Sequence, residues 1–72
     1  MNKLEEKLIE LGYKVSMTQT IDEIIIKTWL KEIDETNFHW VQTIDGNLMG
    51  IMSDKPSEMQ KDLEELRKYE KL

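Results

Sequence analysis

The chain predicts an α+β fold: a small antiparallel β-meander of three to four strands flanked by an N-terminal and a C-terminal helix, in the order α-β-β-β-β-α. Three observations predict it. Leucines recur at helical spacing near the start (Leu4, Leu8, Leu11), and Met59, Leu63 and Leu66 repeat the pattern near the end. Between them, β-branched and aromatic residues alternate with polar ones in the manner of strands. Asp45-Gly46 interrupts two such runs, and this pair favours a tight hairpin because both residues tolerate positive φ.

The first helix has its own start and stop. Asn2 can cap it, with Glu5 three residues on, and Gly12 supplies a left-handed end with Tyr13 as the apolar contact beyond it. "YKVSMTQ" then alternates Tyr13, Val15 and Met17 against Lys14, Ser16 and Thr18, which predicts a half-buried strand. "TIDEIIIKTWLKEIDE" carries two patterns. Thr20 and Glu23 form a capping box that would open a helix. On a helical wheel, however, Ile21, Ile24, Ile25, Ile26, Trp29, Leu30 and Ile33 spread over about 240°, too broad for a surface helix. Successive isoleucines with threonine and tryptophan favour extended structure, so strand is preferred. "DETN" turns the chain into a strand over Phe38–Ile44, and Leu48–Ser53 returns after Asp45-Gly46. Gly50 inside that last run suggests a bulge or a close backbone approach. In the final helix Ser57 and Gln60 form a capping box after Pro56, with Asp54 as a rival cap. Met59, Leu63, Leu66 and Tyr69 make a narrow stripe, with Lys61–Glu65 and Glu64–Lys68 as supporting pairs.

A chain of 72 residues without linkers or repeats is expected to be a single domain over 1–72. At this size only about 60% of the unfolded surface is buried, and such domains usually add a disulfide, a metal or a partner subunit. With no cysteine, disulfides and thiolate metal sites are excluded, which favours association. "MNKLEEKLIELG" is too charged for a signal peptide, and no window approaches the roughly 20 apolar residues of a membrane span. A cytoplasmic protein with no membrane contact is expected. The net charge of −5 repels phosphate backbones, which argues against direct nucleic-acid binding while permitting a basic partner or mimicry of DNA. It also serves solubility.

The two central strands carry more apolar residues than one buried face requires. If the turn spans only Asp34–Asn37, Ile33 pairs with Phe38, Lys31 with Trp40 and Trp29 with Gln42. Trp29, Ile33, Phe38 and Trp40 then share one side, and Ile24, Ile26, Leu30 and Val41 the other. Leaving two tryptophans and a phenylalanine in water would forgo roughly 5–9 kcal/mol, at about 1.5–3 per large side chain. An aromatic sheet face used for a partner or a dimer would recover it. The expected partner-binding residues are Trp29, Ile33, Phe38 and Trp40, with acidic Glu32, Asp34 and Glu35 at the rim.

Catalytic signals are weak. His39 is the one histidine and lies mid-strand, where a partly buried ring with a satisfied nitrogen is expected. No spacing or elbow nominates Ser16, Ser53 or Ser57 as a nucleophile. The carboxylates are scattered among lysines, and three glycines cannot form a phosphate cradle. No catalytic residue, cofactor or metal is expected.

In size, in its richness in lysine, glutamate and isoleucine, and in its lack of catalytic residues, the chain is similar to small accessory proteins of low-GC Gram-positive bacteria and their phages. That likeness of overall style implies a protein that binds and blocks another. The expected function is a non-enzymatic protein-binding module, an inhibitor or adaptor, acting on a protein partner or as a homodimer. The alternatives are an acidic nucleic-acid mimic that blocks a nucleic-acid-binding protein, and a plain structural homo-oligomer.

Overall fold

Helix α1 spans Lys3–Glu10, and the Asn2 side chain accepts the Glu5 N–H at 2.8 Å to cap it. The chain leaves the helix through Gly12 at φ +100°, and the Tyr13 N–H returns to the Leu8 carbonyl at 2.9 Å. This closing bond is the Schellman pattern expected of a glycine stop followed by an apolar residue. The computed structural model describes residues 2–69.

Four strands follow: β1 (Lys14–Ile21), β2 (Ile24–Glu32), β3 (Phe38–Ile44) and β4 (Asn47–Ser53). They form one antiparallel sheet in the order β1-β2-β3-β4. The element order is the α-β-β-β-β-α expected from the sequence. Residues 20–21 and 24–32 are extended, so the capping box at Thr20 and Glu23 opens no helix. Asp22 and Glu23 instead form a tight turn, both at positive φ (48° and 70°). Asp45 and Gly46 make the matching turn between β3 and β4, at 48° and 80°. The Asp45 carboxylate accepts the Ile25 N–H at 2.9 Å, which ties this turn to β2. Beside Gly50 the pairing shifts, with Gln42 opposite Gly50 and Thr43 opposite Leu48, so Met49 is the extra residue of a bulge.

Helix α2 covers Pro56–Leu66 and runs into a short 3₁₀ turn, Arg67–Tyr69. Neither expected cap serves it. Lys55 holds the cap position without a side-chain bond, and Ser57 lies inside the first turn. Asp54 is occupied elsewhere: its carboxylate accepts the Phe38 N–H at 3.0 Å and closes the open end of the β3–β4 hairpin. The expected Lys61–Glu65 pairing is replaced as well, since Glu65 meets Lys7 of α1 and Lys68.

Both helices pack on the same side of the sheet. Leu4 and Leu8 of α1 and Met59 and Leu66 of α2 form one buried cluster with Tyr13, Trp29 and Val41. Polar ties reinforce that layer. Lys27 reaches Glu5 at 2.7 Å, and Lys31 reaches Asp62 at 2.9 Å. Tyr13 donates its hydroxyl proton to the same Asp62 oxygen at 2.8 Å. Lys27, Trp29 and Lys31 alternate along β2, so all three project into the helix layer. The described residues thus form a two-layer sandwich with both helices on one face.

The pairing of β2 with β3 differs from expectation by one residue. Glu32 faces Phe38, Leu30 faces Trp40 and Trp29 faces Val41. The connection contains five residues, Ile33–Asn37, rather than the turn Asp34–Asn37. Asp34 explains the extra residue. Its carboxylate accepts the N–H groups of Thr36 and Asn37, each at 3.0 Å, while Ile33 N–H bonds to the Asn37 carbonyl at 2.9 Å. Ile33 is thereby drawn out of the strand. Because side chains alternate with a period of two, a one-residue slip sends Trp29 and Trp40 to opposite faces.

Candidate functional site: the uncovered sheet face

Trp29 therefore leaves the expected aromatic surface. It is 2% exposed, with its indole N–H bonded to Thr43 Oγ1 at 3.1 Å. Trp40 lies on the other face, half-buried, with its ring 5.9 Å from that of Phe38. Leu30 stands opposite Trp40 on β2, and Met52 opposite it on β4. Ile26 and Ile44 continue this face along β2 and β3, and Ile24, Ile21 and Met17 extend it to β1. No described helix lies over these residues. Met52 is 66% exposed, Met17 and Ile21 are each 55%, and Ile24 is 43%.

The charge pattern of this face follows from the register. Among the described residues only Lys14, which pairs with Leu30, and Glu32, which pairs with Phe38, bring formal charge to it, and both sit at one end. Gln19, Thr28, Gln42 and Asn47 are its neutral polar members among the described residues. A shallow groove runs over Gly50, lined by Thr28, Trp40, Gln42, Ile51 and Met52. A methyl group added at Gly50 would meet nothing within 4 Å, so the glycine leaves a notch in the face. Ile9, Val15, Ile25 and Met49 are exposed too, but they lie on the helix, on the helix-bearing side or at the sheet edge.

The remaining expected residues separate. Glu32 is exposed at the end of the uncovered face beside Phe38, and Glu35 is exposed in the loop. Ile33 is half-buried in the loop. Asp34 is turned inward on its own loop and pairs with Lys55 at 3.1 Å. Those backbone, Asn37 and Lys55 bonds hold its carboxyl well below the usual carboxylate range. Of the seven expected residues, Phe38, Trp40 and Glu32 come together on one surface, whereas Trp29 is core and Asp34 organises the loop.

The sequence reading missed two polar groupings, both under the helices. Tyr13, Lys31 and Asp62 form one, in which burial and the Asp62 carboxylate push the Tyr13 phenol far above its ordinary value. His39 and Ser53 form the other, with Nδ1 2.6 Å from Oγ. Ser53 Oγ also accepts the Lys55 N–H at 2.9 Å, which leaves its own proton to donate to a neutral imidazole. Burial pulls His39 below its usual value, in keeping with that arrangement. The pair joins β3 to β4 at the entry to α2. Its signal was present in the Asp45-Gly46 turn and the Gly50 bulge, which together set residue 39 opposite 53. Among the described residues, no three of His, Cys, Asp and Glu gather in a metal-holding cluster, and no helix is long and apolar enough to cross a membrane.

Compared with known proteins, the chain matches no family model, no curated protein and no solved structure.

Proposed function

We propose that this chain is a non-enzymatic protein-binding module, an inhibitor or adaptor, whose contact surface is the uncovered face of the sheet. One observation carries the reading: both helices lie on one side, and Trp40, Phe38, Leu30 and Met52 lie on the other with Ile24, Ile21 and Met17 beside them. A contiguous apolar face costs solubility, and in small soluble proteins such patches mark interfaces. Trp40 at its centre is the residue type most often dominant in binding energy. The acidic residues contribute at the margin, through Glu32 and Glu35, where they act on the rate of encounter more than on the strength of the complex.

The test compares wild type with Trp40→Glu and Met52→Lys, each checked for native circular dichroism. On this reading the substitutions alter association: the solution mass, the set of proteins captured from extract, or both. If neither responds to either substitution, the face is not a binding surface.

A further inference from the structure

Resting on the reading of this face as a binding surface, we infer that its occupant is a second copy of the chain, docked face to face about a two-fold axis.

Charge makes the first argument. The chain carries −5 overall, yet among the described residues its uncovered face holds only Lys14 and Glu32, opposite in sign and confined to one end. Two copies can therefore meet at their centres without bringing like charges together. A basic partner would find almost no acid there and would bury its cations unpaired, which is strongly unfavourable. An isologous two-fold contact needs a patch complementary to itself, and a neutral apolar surface satisfies that requirement.

Area makes the second. Strands about 4.8 Å apart give a four-stranded sheet about 19 Å of width, and eight residues at about 3.3 Å each give about 26 Å of length. One face thus presents roughly 500 Å² in projection, so two faces mask on the order of 1,000 Å² before side-chain relief is counted. That reaches the floor of about 1,000 Å² that a biological interface should clear, and side-chain relief adds to it toward the roughly 1,200–2,000 Å² of stable complexes. The relief itself is two-sided, with Trp40 and Met52 standing beside the notch left by Gly50.

The third argument is the size of the protein's own core. The chain has 72 residues and no cysteine, and among its described residues seven apolar ones are buried, in one cluster. Small domains of this kind gain stability by association, and stacking two sheets about 10 Å apart would create a second core between them. The assembly would have four layers, with the helices of each copy outermost.

The experiment is sedimentation equilibrium on the full chain across a concentration series. The wild type should approach twice its 8.6 kDa mass as concentration rises. Met52→Lys combined with Ile24→Lys, both at exposed positions, should hold the chain at its single mass over the same range with unchanged circular dichroism. Ile9→Lys, exposed on α1 away from this face, should dimerise like wild type. A wild type that stays monomeric throughout overturns the inference, and so does a dimer that survives the double face substitution. The two readings separate cleanly. A monomer whose captured proteins are lost on face substitution overturns the second copy and leaves the binding module standing. A monomer with capture unaffected overturns both.

Discussion

Trp29 donates its indole N–H to Thr43 across the β2–β3 pair at 3.1 Å, and both residues are buried beneath the helices. This bond marks the side of the sheet that became core. The indole would otherwise carry an unsatisfied donor into the least hydrated part of the molecule. Thr43→Val preserves shape and removes the acceptor, so it should destabilise the protein by about 1–3 kcal/mol. Urea unfolding would show a lower midpoint at unchanged slope. A loss below about 0.5 kcal/mol, the range of an inert surface change, would mean that the indole has another acceptor.

Asp62 gathers two donors on one oxygen, from Tyr13 at 2.8 Å and Lys31 at 2.9 Å, and so ties α2 to the sheet. Tyr13→Phe should cost about 0.5–1.5 kcal/mol, and Asp62→Ala more, about 1.5–3, because it strands both donors. The two losses should not add, since the substitutions share a bond. In an alkaline titration followed by phenolate absorbance, Tyr13 should ionise only as the protein unfolds.

Acid should weaken the fold in two stages. His39 has a folded value below its ordinary 6.5, chiefly from burial, so the unfolded chain binds that proton first. Its contribution is complete above 6.5 and is lost as pH falls from there toward the folded value. Asp34 and Glu5 are likewise depressed, by the bonds of the Asp34 loop and by Lys27 respectively, and their contributions fade below their ordinary values of 3.8 and 4.5. Thermal midpoints should therefore decline gently from neutral pH and steeply below pH 4.5. His39→Gln should flatten the first stage and leave the second.

The turn between β1 and β2 places Asp22 and Glu23 at positive φ without a glycine, whereas the turn between β3 and β4 uses Asp45-Gly46. A left-handed residue with a side chain costs roughly 1–2 kcal/mol, and glycine gives back about 0.5–1 in lost chain entropy. Glu23→Gly should then stabilise the protein by up to about 1.5 kcal/mol, the difference of those terms. A lower melting temperature would contradict this account of the turn.

Met52→Lys should change unfolding free energy by no more than about 0.5 kcal/mol in the monomer, as a surface substitution away from the core. Val41→Ala on the opposite face should cost well over 1 kcal/mol, because it opens a cavity beneath the helices. Comparing the two by urea denaturation at low concentration tests which face is core.

Most of the fold was legible because local signals agree with one another. Asn2, Gly12 and Tyr13 specify both ends of α1, and Asp45-Gly46 specifies its hairpin, since each acts over a few residues of backbone. The end of β1 was harder to see, because a turn of Asp22 and Glu23 has no glycine and resembles the start of a helix. Asp54 and Ser57 offer α2 the right capping chemistry locally, but Asp54 is claimed by the Phe38 N–H of a strand sixteen residues away. For the site, Phe38, Trp40 and Glu32 were legible as neighbours, and Trp29 was not.

By itself the sequence determined the elements, their order and an excess of apolar side chains over what one sheet face can bury. Only the tertiary structure decided which of them meet the helices. That choice rests on the Asp34 loop, whose hydrogen bonds draw Ile33 out of β2 and move the pairing with β3 by one residue. Alternation along a strand has a period of two, so a single residue of loop length exchanges the two faces completely. The pairing that results puts Trp29 with Val41 under the helices and Trp40 on the open side.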